Sequence, residues 1–389
     1  MKSIAVIYAS EGTGHRTAAE ALCSHFIKEH EDADVLCRDI LDYTPAPLRR
    51  IVSDGYLFMA RYTPWAWGWF YKSSDRPSPQ ASCFDKIHDV LCSAYLPKLE
   101  HDLYEAKVQA VFFTHYFAAA ITARRNAGRF PVFYVNTDFV THRFQRDKIY
   151  AKSFAASPSA IQQYRSDGIY NVSDTGIPIA PKYMNLPSKS EARKKLNFSP
   201  DDKIVLISGG GIGAGSVAAA AEAVSACEGI KSVVICGNNR RLFASLSARY
   251  KGRANVEIKG FVPNMEEFYS ASDIGIMKPG GLSLSEALAS GLPLLLMDPI
   301  PGQEQLNMDY VCENGAALPL KEPHRAAEEV KAVLENGDKR RSMLENIKKI
   351  SKSRCRKEDF KRGSRLIKAG LESLFTLGDN LRGLFVQLS

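Results

Sequence analysis

Residues 279–286 join a glycine turn to the start of a helical pattern, a combination that could bind an anion. Pro279-Gly280-Gly281 forms the turn, and Ser283 followed by Glu286 has the spacing of a capping box, which predicts a helix start at Ser283. Backbone N–H groups at a helix start have no partner within the helix and lie at the positive end of its dipole. The turn is therefore a predicted phosphate site, although an ordinary β-α-β unit with a polar loop would give the same pattern.

The loop that follows this unit carries side chains suited to a polyhydroxylated ligand. Within this loop, 299–307, Gln303, Glu304, Gln305 and Asn307 contribute three amides and a carboxylate. The apolar runs 274–277 and 294–297 flank the predicted helix and have the length and composition of buried strands. We therefore predict a strand, a glycine turn, a helix, a second strand and a polar exit loop, in that order.

A histidine lies where the first glycine loop of the chain meets a helical pattern. Residues 3–9 fit a buried strand, the loop that follows contains Gly12 and Gly14, and good helix formers occupy 17–29. This order is typical of a phosphate or dinucleotide site, and Gly14 is a candidate for ligand contact, but two glycines in a loop are a weak signal. His15 would project over the carboxyl ends of the strands, where open α/β sheets bind ligands. Capping or local packing of the histidine is the alternative.

A second candidate reactive group follows the predicted strand 131–135. The chain continues through Asn136-Thr137-Asp138, and His142 lies four residues after Asp138. These groups could bind a metal, act as a base on a substrate hydroxyl, or cap the next element. The sequence leaves the three roles open.

The length of the chain and a repeated glycine loop predict two α/β domains. At 389 residues the chain exceeds the size at which a single core usually stops growing. In the second half, a predicted strand at 203–208 leads into the glycine-rich loop 209–215 and a helix. The stiff segment 176–181 separates the two patterns. We therefore predict domains at 1–176 and 177–345, followed by a basic helical tail at 346–389.

Composition restricts the class of protein without choosing a ligand. The net charge of +8 suits anionic lipid, nucleic acid or small anions equally. The eight cysteines include no C-x-x-C pair, so we expect no metal knuckle and a reducing compartment. The first apolar run, 4–7, is too short for a secretion signal, and no run reaches the roughly 18–20 apolar residues of a membrane span. A cytoplasmic protein is expected.

Two segments have the composition of membrane-surface contacts. Residues 43–72 mix cationic and aromatic side chains, including all three tryptophans, at Trp65, Trp67 and Trp69. Aromatic rings settle at the headgroup boundary while Arg and Lys meet anionic lipid. A helical hairpin with an aromatic core is the alternative for this segment. Residues 348–368 are strongly basic and could bind an anionic membrane, although a solvated helix face would have the same composition.

Long motifs in both halves resemble one enzyme family. In the second half they read GFVPNM at 260–265, SDIGIMKPGGLSLSEA at 272–287 and PGQEQLN at 301–307, and in the first half SEGTGHRTAAEAL at 10–22, NTDFVTH at 136–142 and TGIPI at 175–179. In order and spacing they are similar to glycosyltransferase family 28, in its branch of monogalactosyldiacylglycerol synthases and processive diacylglycerol glucosyltransferases. The resemblance covers roughly residues 3–320.

The resemblance implies a GT-B fold, in which two Rossmann-like domains face each other across a cleft. It also implies an inverting transfer of a hexose from UDP-glucose or UDP-galactose to a lipid acceptor such as diacylglycerol, with no cofactor and no obligatory metal. His15 matches the histidine that helps to activate the acceptor hydroxyl, and Asp138 matches the carboxylate across the cleft. Such a protein would work peripherally at the inner face of the cell membrane and would bind no nucleic acid.

The same resemblance assigns the donor to residues of the second half. Backbone groups around Phe261 and Val262 correspond to the uracil site, Glu286 to the ribose site, and Gln303 and Glu304 to the site of the sugar hydroxyls. The diphosphate corresponds to backbone groups of five residues: Gly211, Gly280, Gly281, Leu282 and Ser283. The acceptor is less defined, because the variable region 42–100 would recognise it.

Other functions fit parts of the sequence. Transfer of N-acetylglucosamine to a polyprenyl-linked lipid is the reaction of another branch of the family, but that branch carries Gln-Gln where this chain has Gln303-Glu304. A UDP-sugar sensor without catalytic activity would need neither His15 nor Asp138. A dinucleotide oxidoreductase would need a paired acidic residue about 20 positions after its glycine loop, and neither loop has that pattern.

Overall fold

The computed structural model describes residues 2–10, 13–29, 33–45, 63–75 and 96–351, and the single positions 49, 55 and 59. Several predictions fall on residues outside this set: Glu11 and Gly12, much of the membrane segment (46–48, 50–54, 56–58 and 60–62), the tail from 352 onward, and Cys83, Cys92 and Cys355. In the described ranges, no helix combines the length and the apolar character that crossing a membrane requires.

The first half of the chain forms a parallel sheet of six strands in the order β2-β1-β3-β4-β5-β6. Its strands are β1 (Lys2–Tyr8), β2 (Ala33–Asp39), β3 (Ala110–Phe113), β4 (Val132–Val135), β5 (Lys152–Ala155) and β6 (Val172–Asp174). The helices of this half are α1 (Thr13–Glu29), α2 (Ile40–Tyr43), α3 (Pro64–Asp75), α4 (Leu96–Glu105), α5 (Ala119–Arg125) and α6 (Pro158–Ser166), with a 3₁₀ helix at Arg143–Gln145. Successive residues of β3 alternate between two apolar layers, Phe112 in one and Phe113 in the other, so the sheet is covered on both faces.

The second half forms another six-stranded parallel sheet, in the order β12-β11-β10-β7-β8-β9. Its strands are β7 (Lys203–Ser208), β8 (Ile230–Ile235), β9 (Val256–Lys259), β10 (Ile274–Met277), β11 (Leu294–Leu296) and β12 (Ala317–Pro319). The helices are α7 (Lys189–Leu196), α8 (Val217–Ser225), α9 (Arg240–Arg249), α10 (Met265–Ala271), α11 (Gly281–Ala289), α12 (Gln303–Glu313), α13 (Ala326–Leu334) and α14 (Gly337–Ile350), with 3₁₀ helices at Pro181–Met184 and Pro323–Arg325. This is the strand order of a Rossmann fold, so the predicted α/β class is confirmed.

Each sheet has one point where the strand order reverses, and both points lie beside predicted site residues. In the first sheet it lies between β1 and β3, whose exit loops lead to His15 and Thr114. In the second it lies between β7 and β10, whose exit loops are the glycine-rich loop and the turn at 278–280. Open α/β sheets bind ligands at such points because the diverging loops leave a crevice between them.

Three local predictions in the second half are corrected by the structure. Helix α11 begins at Gly281 rather than Ser283, because Gly280 has the extended backbone of an N-cap and no side chain caps the helix. The predicted loop at 299–307 ends earlier, because Gly302 with φ of 103° starts helix α12 at Gln303. The glycine-rich loop folds on itself, and α8 begins only at Val217.

Candidate active site

His15 lies in the first turn of α1, and its ring is held by two groups of the first half. Nδ1 is 2.7 Å from the carbonyl oxygen of Thr114 and 3.0 Å from the hydroxyl of Thr137. A carbonyl can only accept a hydrogen bond, so this network assigns the ring proton to Nδ1 and leaves the lone pair of Nε2 without a protein donor among the described residues. Burial lowers the pKa of His15 to about 4, opposed by the bond to Thr114. The imidazole is therefore neutral near pH 7 and can accept a proton at Nε2.

Thr137 and Asp138 follow β4 and contact different partners. The Thr137 hydroxyl orients His15, whereas Oδ1 of Asp138 accepts a hydrogen bond of 2.8 Å from Nδ2 of Asn307 in the other half of the chain. Burial raises the pKa of Asp138 to about 6, and the bond from Asn307 lowers it in part. Thr137 thus orients the histidine, a role outside the three that the sequence left open, while Asp138 is a carboxylate whose pKa lies near neutral pH.

His142 caps the next element and contacts α3. Its Nδ1 accepts the backbone N–H of Phe144, and Gln145 completes a capping box at the 3₁₀ helix. Nε2 is 3.1 Å from the carbonyl of Tyr71 on α3. In the part of the chain that the structure describes, no three His, Cys, Asp or Glu side chains are grouped as metal ligands. That the reaction needs no metal stays a prediction.

The first turn of α11 presents backbone donors toward the first half. Among the described residues, no acceptor contacts the N–H groups of Gly281, Leu282 and Ser283. A Cβ at Gly281 would overlap the carbonyl oxygen of Thr137 and lie 3.2 Å from Oδ1 of Asp138, so only glycine permits this approach. This turn therefore has N–H groups available to an anion and adjoins the segment that orients His15, while its binding of phosphate stays a prediction.

The glycine-rich loop after β7 has fewer available backbone N–H groups than its glycine content suggests. The N–H groups of Gly213 and Ala214 bond to carbonyls within the loop, and that of Ser216 bonds to the carboxylate of Asp298. The N–H of Gly211 has no acceptor in the described ranges, and a Cβ there would lie 2.7 Å from the hydroxyl of Thr13 in the first half. Gly14 lies next to Thr13, with open space around it. The two halves thus approach each other closely at two glycines, Gly211 beside Thr13 and Gly281 beside Thr137.

A cation that the sequence patterns did not single out lies in the turn at 278–280, which the resemblance assigns to the sugar donor and which is called the donor turn below. Lys278 directly follows β10, and its Nζ is 3.2 Å from Oε2 of Glu304, with only 11% and 16% of the two side chains exposed. Its Cδ would lie 3.4 Å from a Cβ at Gly215 in the glycine-rich loop. A lysine that is mostly shielded from solvent, between the two glycine turns, supplies positive charge near the backbone N–H groups of both. Its position at the end of a strand, immediately before Pro279, was the signal available in the sequence.

The remaining donor-side residues group around the 3₁₀ helix Pro181–Met184. A hydrogen bond from Tyr183 reaches Glu286 on α11, and Lys182 contacts both the carbonyl of Pro263 and the carboxylate of Glu266. Burial raises the pKa of Glu286 to about 7, which the Tyr183 bond and the charge of Lys182 oppose. The exit from β9 and the middle of α11 thus lie near one another.

Phe261 and Val262 occupy that exit and keep their backbone available. The side chain of Phe261 is 64% exposed, and that of Val262 packs partly against the core of the second half. No described residue bonds to either backbone N–H. A Cβ added at Gly260 would lie 4.0 Å from the ring of Phe243, so two aromatic rings border this exit. A flat, partly apolar base could stack here while bonding to the main chain.

The start of α12 is already engaged by neighbouring protein groups. Oε2 of Glu304 pairs with Lys278 and also accepts the N–H of Ile300 at 2.8 Å. Oε1 would lie 3.8 Å from a Cβ added at Gly280, so it faces the donor turn. Asn307 bonds only to protein groups, which contradicts the expectation that its amide is available to a polyhydroxylated ligand. The tight turn into α12 buries that amide against the first half.

Helix α3 carries the three tryptophans and touches both halves. Trp65 and Trp69 are 76% and 67% exposed and share one face with exposed Lys72, whereas the ring of Trp67 packs against Phe70 and Tyr71. An adjoining side of the helix contacts the loop before α12, through Gly68 at Pro301 and Tyr71 at Gly302. Helix α3 therefore has an inward aromatic side and an outward face of two tryptophans and a lysine, and contact of that face with a membrane stays a prediction.

The comparison with known families assigns each half of the chain. Residues 15–179 match the monogalactosyldiacylglycerol (MGDG) synthase family, and residues 188–350 match the glycosyl transferases group 1 family. The first match contains His15 and Asp138, and the second contains every predicted donor residue of the second half.

Curated relatives agree with the family matches. The chain is 33% identical to the processive diacylglycerol beta-glucosyltransferase of Bacillus subtilis, over 58% of this chain and 61% of the relative. It therefore spans only about three fifths of that relative's length. It is 29% identical to monogalactosyldiacylglycerol synthase 3 of Arabidopsis thaliana, over 90% of this chain and 78% of the plant protein.

Solved structures share the fold at low sequence identity. MurG of Acinetobacter baumannii matches with a TM-score of 0.56 and 18% identity, over 91% of this chain and 95% of that one. UGT71G1 of Medicago truncatula, complexed with UDP-glucose, matches with a TM-score of 0.60 and 15% identity, over 95% and 98%. The predicted GT-B architecture is confirmed. In both halves the chain is thus similar to glycosyltransferases, among them monogalactosyldiacylglycerol synthases and processive diacylglycerol glucosyltransferases.

Proposed function

We propose that this protein transfers glucose or galactose from a UDP-sugar to a lipid hydroxyl, with diacylglycerol as the acceptor, at the inner surface of the cell membrane. One observation carries the proposal: the free backbone donors of the first turn of α11, with Lys278 behind them, face the Thr137–Asp138 segment that orients His15. An anionic leaving group and a proton acceptor would then meet in one cleft. The names of the relatives support the choice of donor and acceptor.

The donor would lie along the second half. The diphosphate would accept hydrogen bonds from Gly281, Leu282 and Ser283, with Gly211 and Lys278 on its other side. The uracil would stack at the exit of β9, next to Phe261, and the ribose would reach Glu286. Backbone donors at a helix start stabilise a phosphate through fixed dipoles, without reorganisation during the reaction.

The reaction would be a single displacement with inversion. The acceptor hydroxyl oxygen attacks the anomeric carbon as the bond from that carbon to the diphosphate oxygen breaks. The hydroxyl proton passes to Nε2 of His15, and UDP departs with the bonding electron pair. The Nδ1–H bond to the carbonyl of Thr114 stabilises the imidazolium that forms, because that carbonyl lies 2.7 Å away.

Asp138 would align the acceptor hydroxyl. Its Oδ1 is occupied by Asn307, whereas Oδ2 has no protein donor among the described residues. A carboxylate oxygen beside the attacking hydroxyl fixes the orientation of that group and so reduces the entropic cost of reaching the transition state. In this arrangement Asp138 works in its ionised form, and His15 takes the proton.

The outward face of α3 would hold the protein on the lipid surface. Trp65 and Trp69 are one helical turn apart, and Lys72 continues the same face toward anionic headgroups. Because the inward face of α3 touches the loop before α12, the lipid surface and the donor site would lie at neighbouring edges of the cleft. A lipid acceptor could then enter the cleft without leaving the membrane.

A single assay tests the proposal. The purified chain is incubated with labelled UDP-glucose, UDP-galactose or UDP-N-acetylglucosamine over vesicles that contain diacylglycerol, and the lipid fraction is analysed. We expect a hexosyl lipid from one of the first two donors. Labelled lipid from UDP-N-acetylglucosamine alone, or UDP binding with no product from any donor, would overturn the proposal.

A matched variant separates the base from the donor site. His15→Asn keeps a side-chain N–H for the carbonyl of Thr114 but has no basic nitrogen, so turnover should fall by about 100-fold or more while UDP affinity changes little. His324→Ala, on an exposed 3₁₀ helix of the second half, is the control. Equal loss of UDP affinity and turnover in His15→Asn would place the histidine at the donor instead.

A further inference from the structure

Asn307 joins the two halves of the chain through every polar atom of its side chain. It lies on α12 and is fully buried, at 0% exposure. Its Oδ1 accepts the backbone N–H of Phe139 at 2.8 Å, and its Nδ2 donates to Oδ1 of Asp138 at 2.8 Å and to the carbonyl of Pro279 at 3.3 Å. One amide therefore ties the segment after β4 to the donor turn after β10.

Asn307 holds the segment 137–139, and the same segment is part of the proposed reaction centre. The hydroxyl of Thr137 orients His15, and its carbonyl abuts Gly281 at the start of α11. On the other side, the ring of Phe139 stacks on Tyr310 at 5.3 Å, also on α12. A displacement of the 137–139 segment would thus move the histidine, the carboxylate and the anion site relative to one another.

We infer that Asn307 is a positioning residue, which assembles the two halves of the active site by fixing the carboxylate of Asp138 against the donor turn. The inference rests on the proposed function, since it assigns Asp138 to the acceptor. An amide suits this place because it presents one acceptor and two donors in a rigid plane, and here both kinds are used. An aspartate would offer no donor to Asp138 at neutral pH and would place a second negative charge beside it.

The surroundings of Asp138 define what a change at Asn307 can do to its ionisation. Tyr71 of α3 and Tyr134 of β4 lie near the carboxylate, and both have pKa values raised well above 10, so they stay neutral. His15 lies beyond Thr137, and the Lys278–Glu304 ion pair flanks the donor turn. Within this group, Asn307 is the hydrogen-bond donor that favours the charged form of Asp138.

The test compares Asn307→Asp and Asn307→Ala with Asn314→Ala, all in the full chain. Asn314 ends the same helix, and its exposed side chain bonds only to the carbonyl of Tyr310, so it is a matched control. For each variant, kcat and KM for the UDP-sugar are measured across pH, together with the UDP dissociation constant and the melting temperature. Binding of UDP reports whether the donor half is folded.

We expect kcat to fall between about 10- and 100-fold in both Asn307 variants, since a bond to a charged group is lost, with UDP affinity within about threefold of the parent. The acid-side midpoint of the kcat/KM profile should move to higher pH in both, and further in Asn307→Asp, where two carboxylates share a proton. A uniform loss at every pH with an unchanged midpoint, or UDP affinity that falls together with the melting temperature, would overturn the inference.

An arm without turnover distinguishes this inference from the proposed function. Carbon-13 NMR of labelled aspartate carboxyl groups, assigned with Asp138→Asn, follows the titration of Asp138 in the parent chain and in Asn307→Ala. If the pKa of Asp138 is higher in Asn307→Ala than in the parent, but the parent glycosylates no lipid, the proposed function is refuted and the coupling of Asn307 to Asp138 stands. An unchanged titration in an active chain would refute the coupling alone.

Discussion

The charge of Lys278 is expected to contribute to stability, through its ion pair with Glu304, and to binding of the UDP-sugar. Replacing Lys278 by methionine removes both contributions. The ammonium group is 3.2 Å from the carboxylate of Glu304, and at an effective dielectric constant of about 20 their attraction is about 5 kcal/mol before desolvation is subtracted. Removing one partner of a fully buried pair typically costs about 3–5 kcal/mol, because the other charge is left buried alone. Glu304 is 16% exposed and keeps its bond to the N–H of Ile300, so Lys278→Met should lower the free energy of unfolding by an amount at or below the lower end of that range, whether or not the lysine binds the donor.

The double variant Lys278→Met, Glu304→Gln isolates the binding contribution. It removes both charges while keeping similar shapes, so most of the lost stability should return. If Lys278 contacts the diphosphate, UDP should still bind roughly 10- to 150-fold more weakly, the equivalent of a lost charge-assisted hydrogen bond of about 1.5–3 kcal/mol. Calorimetric titration with UDP and with uridine checks this, since uridine has no phosphate. Parent-like UDP affinity in the double variant, or equal weakening for uridine, would refute the role of Lys278.

Three further results are expected. The kcat/KM of the parent should fall as pH drops through about 6, where the Asp138 carboxylate is protonated, and Asp138→Asn should abolish that limb; a limb that survives in the variant excludes Asp138. Gly281→Ala should lower activity more than tenfold and destabilise the chain by about 1–3 kcal/mol, since its Cβ overlaps the Thr137 carbonyl, whereas Gly337→Ala, with open space, should be neutral by both measures. Trp65→Ser with Trp69→Ser should weaken binding to anionic vesicles by about tenfold or more in a sedimentation assay, and an equal effect of Tyr170→Ser, a control as exposed as Trp65, would argue against a specific membrane face.

Most strands can be predicted because they are short apolar runs buried on both faces. The predicted strand 203–208 coincides with β7, and 274–277 coincides with β10. The edge strands β6 and β12 are not predicted, since each has three residues and only part of its surface is buried. An edge strand forms because it pairs with the backbone of one neighbouring strand, and the local sequence does not indicate which segment that neighbour is.

The local sequence can nominate individual site residues, but it cannot identify the residues that they contact. The spacing of glycines around Gly281 and the position of His15 after the first loop indicate anion binding and a reactive imidazole from local sequence alone. The bond between Asn307 and Asp138 joins residues 169 positions apart, and nothing near either one indicates the other. The local sequence accordingly assigns Asn307 to the ligand, whereas the fold uses it between the halves. No pattern singles out Lys278, because a lysine after a strand is common and only the approach of Glu304 and Gly215 gives it a buried place.

The low pKa of His15 has a consequence for the order of events in the cleft. A base with a pKa of about 4 is neutral near pH 7 but accepts a proton poorly from an alcohol. The start of α11 adjoins Thr137, whose hydroxyl bonds to the imidazole, so a diphosphate held there would bring negative charge close to the ring. Negative charge favours the imidazolium and raises the pKa of the histidine. The donor would thus strengthen the base that its own transfer requires, and a bound lipid would stay inactive until the sugar nucleotide has entered.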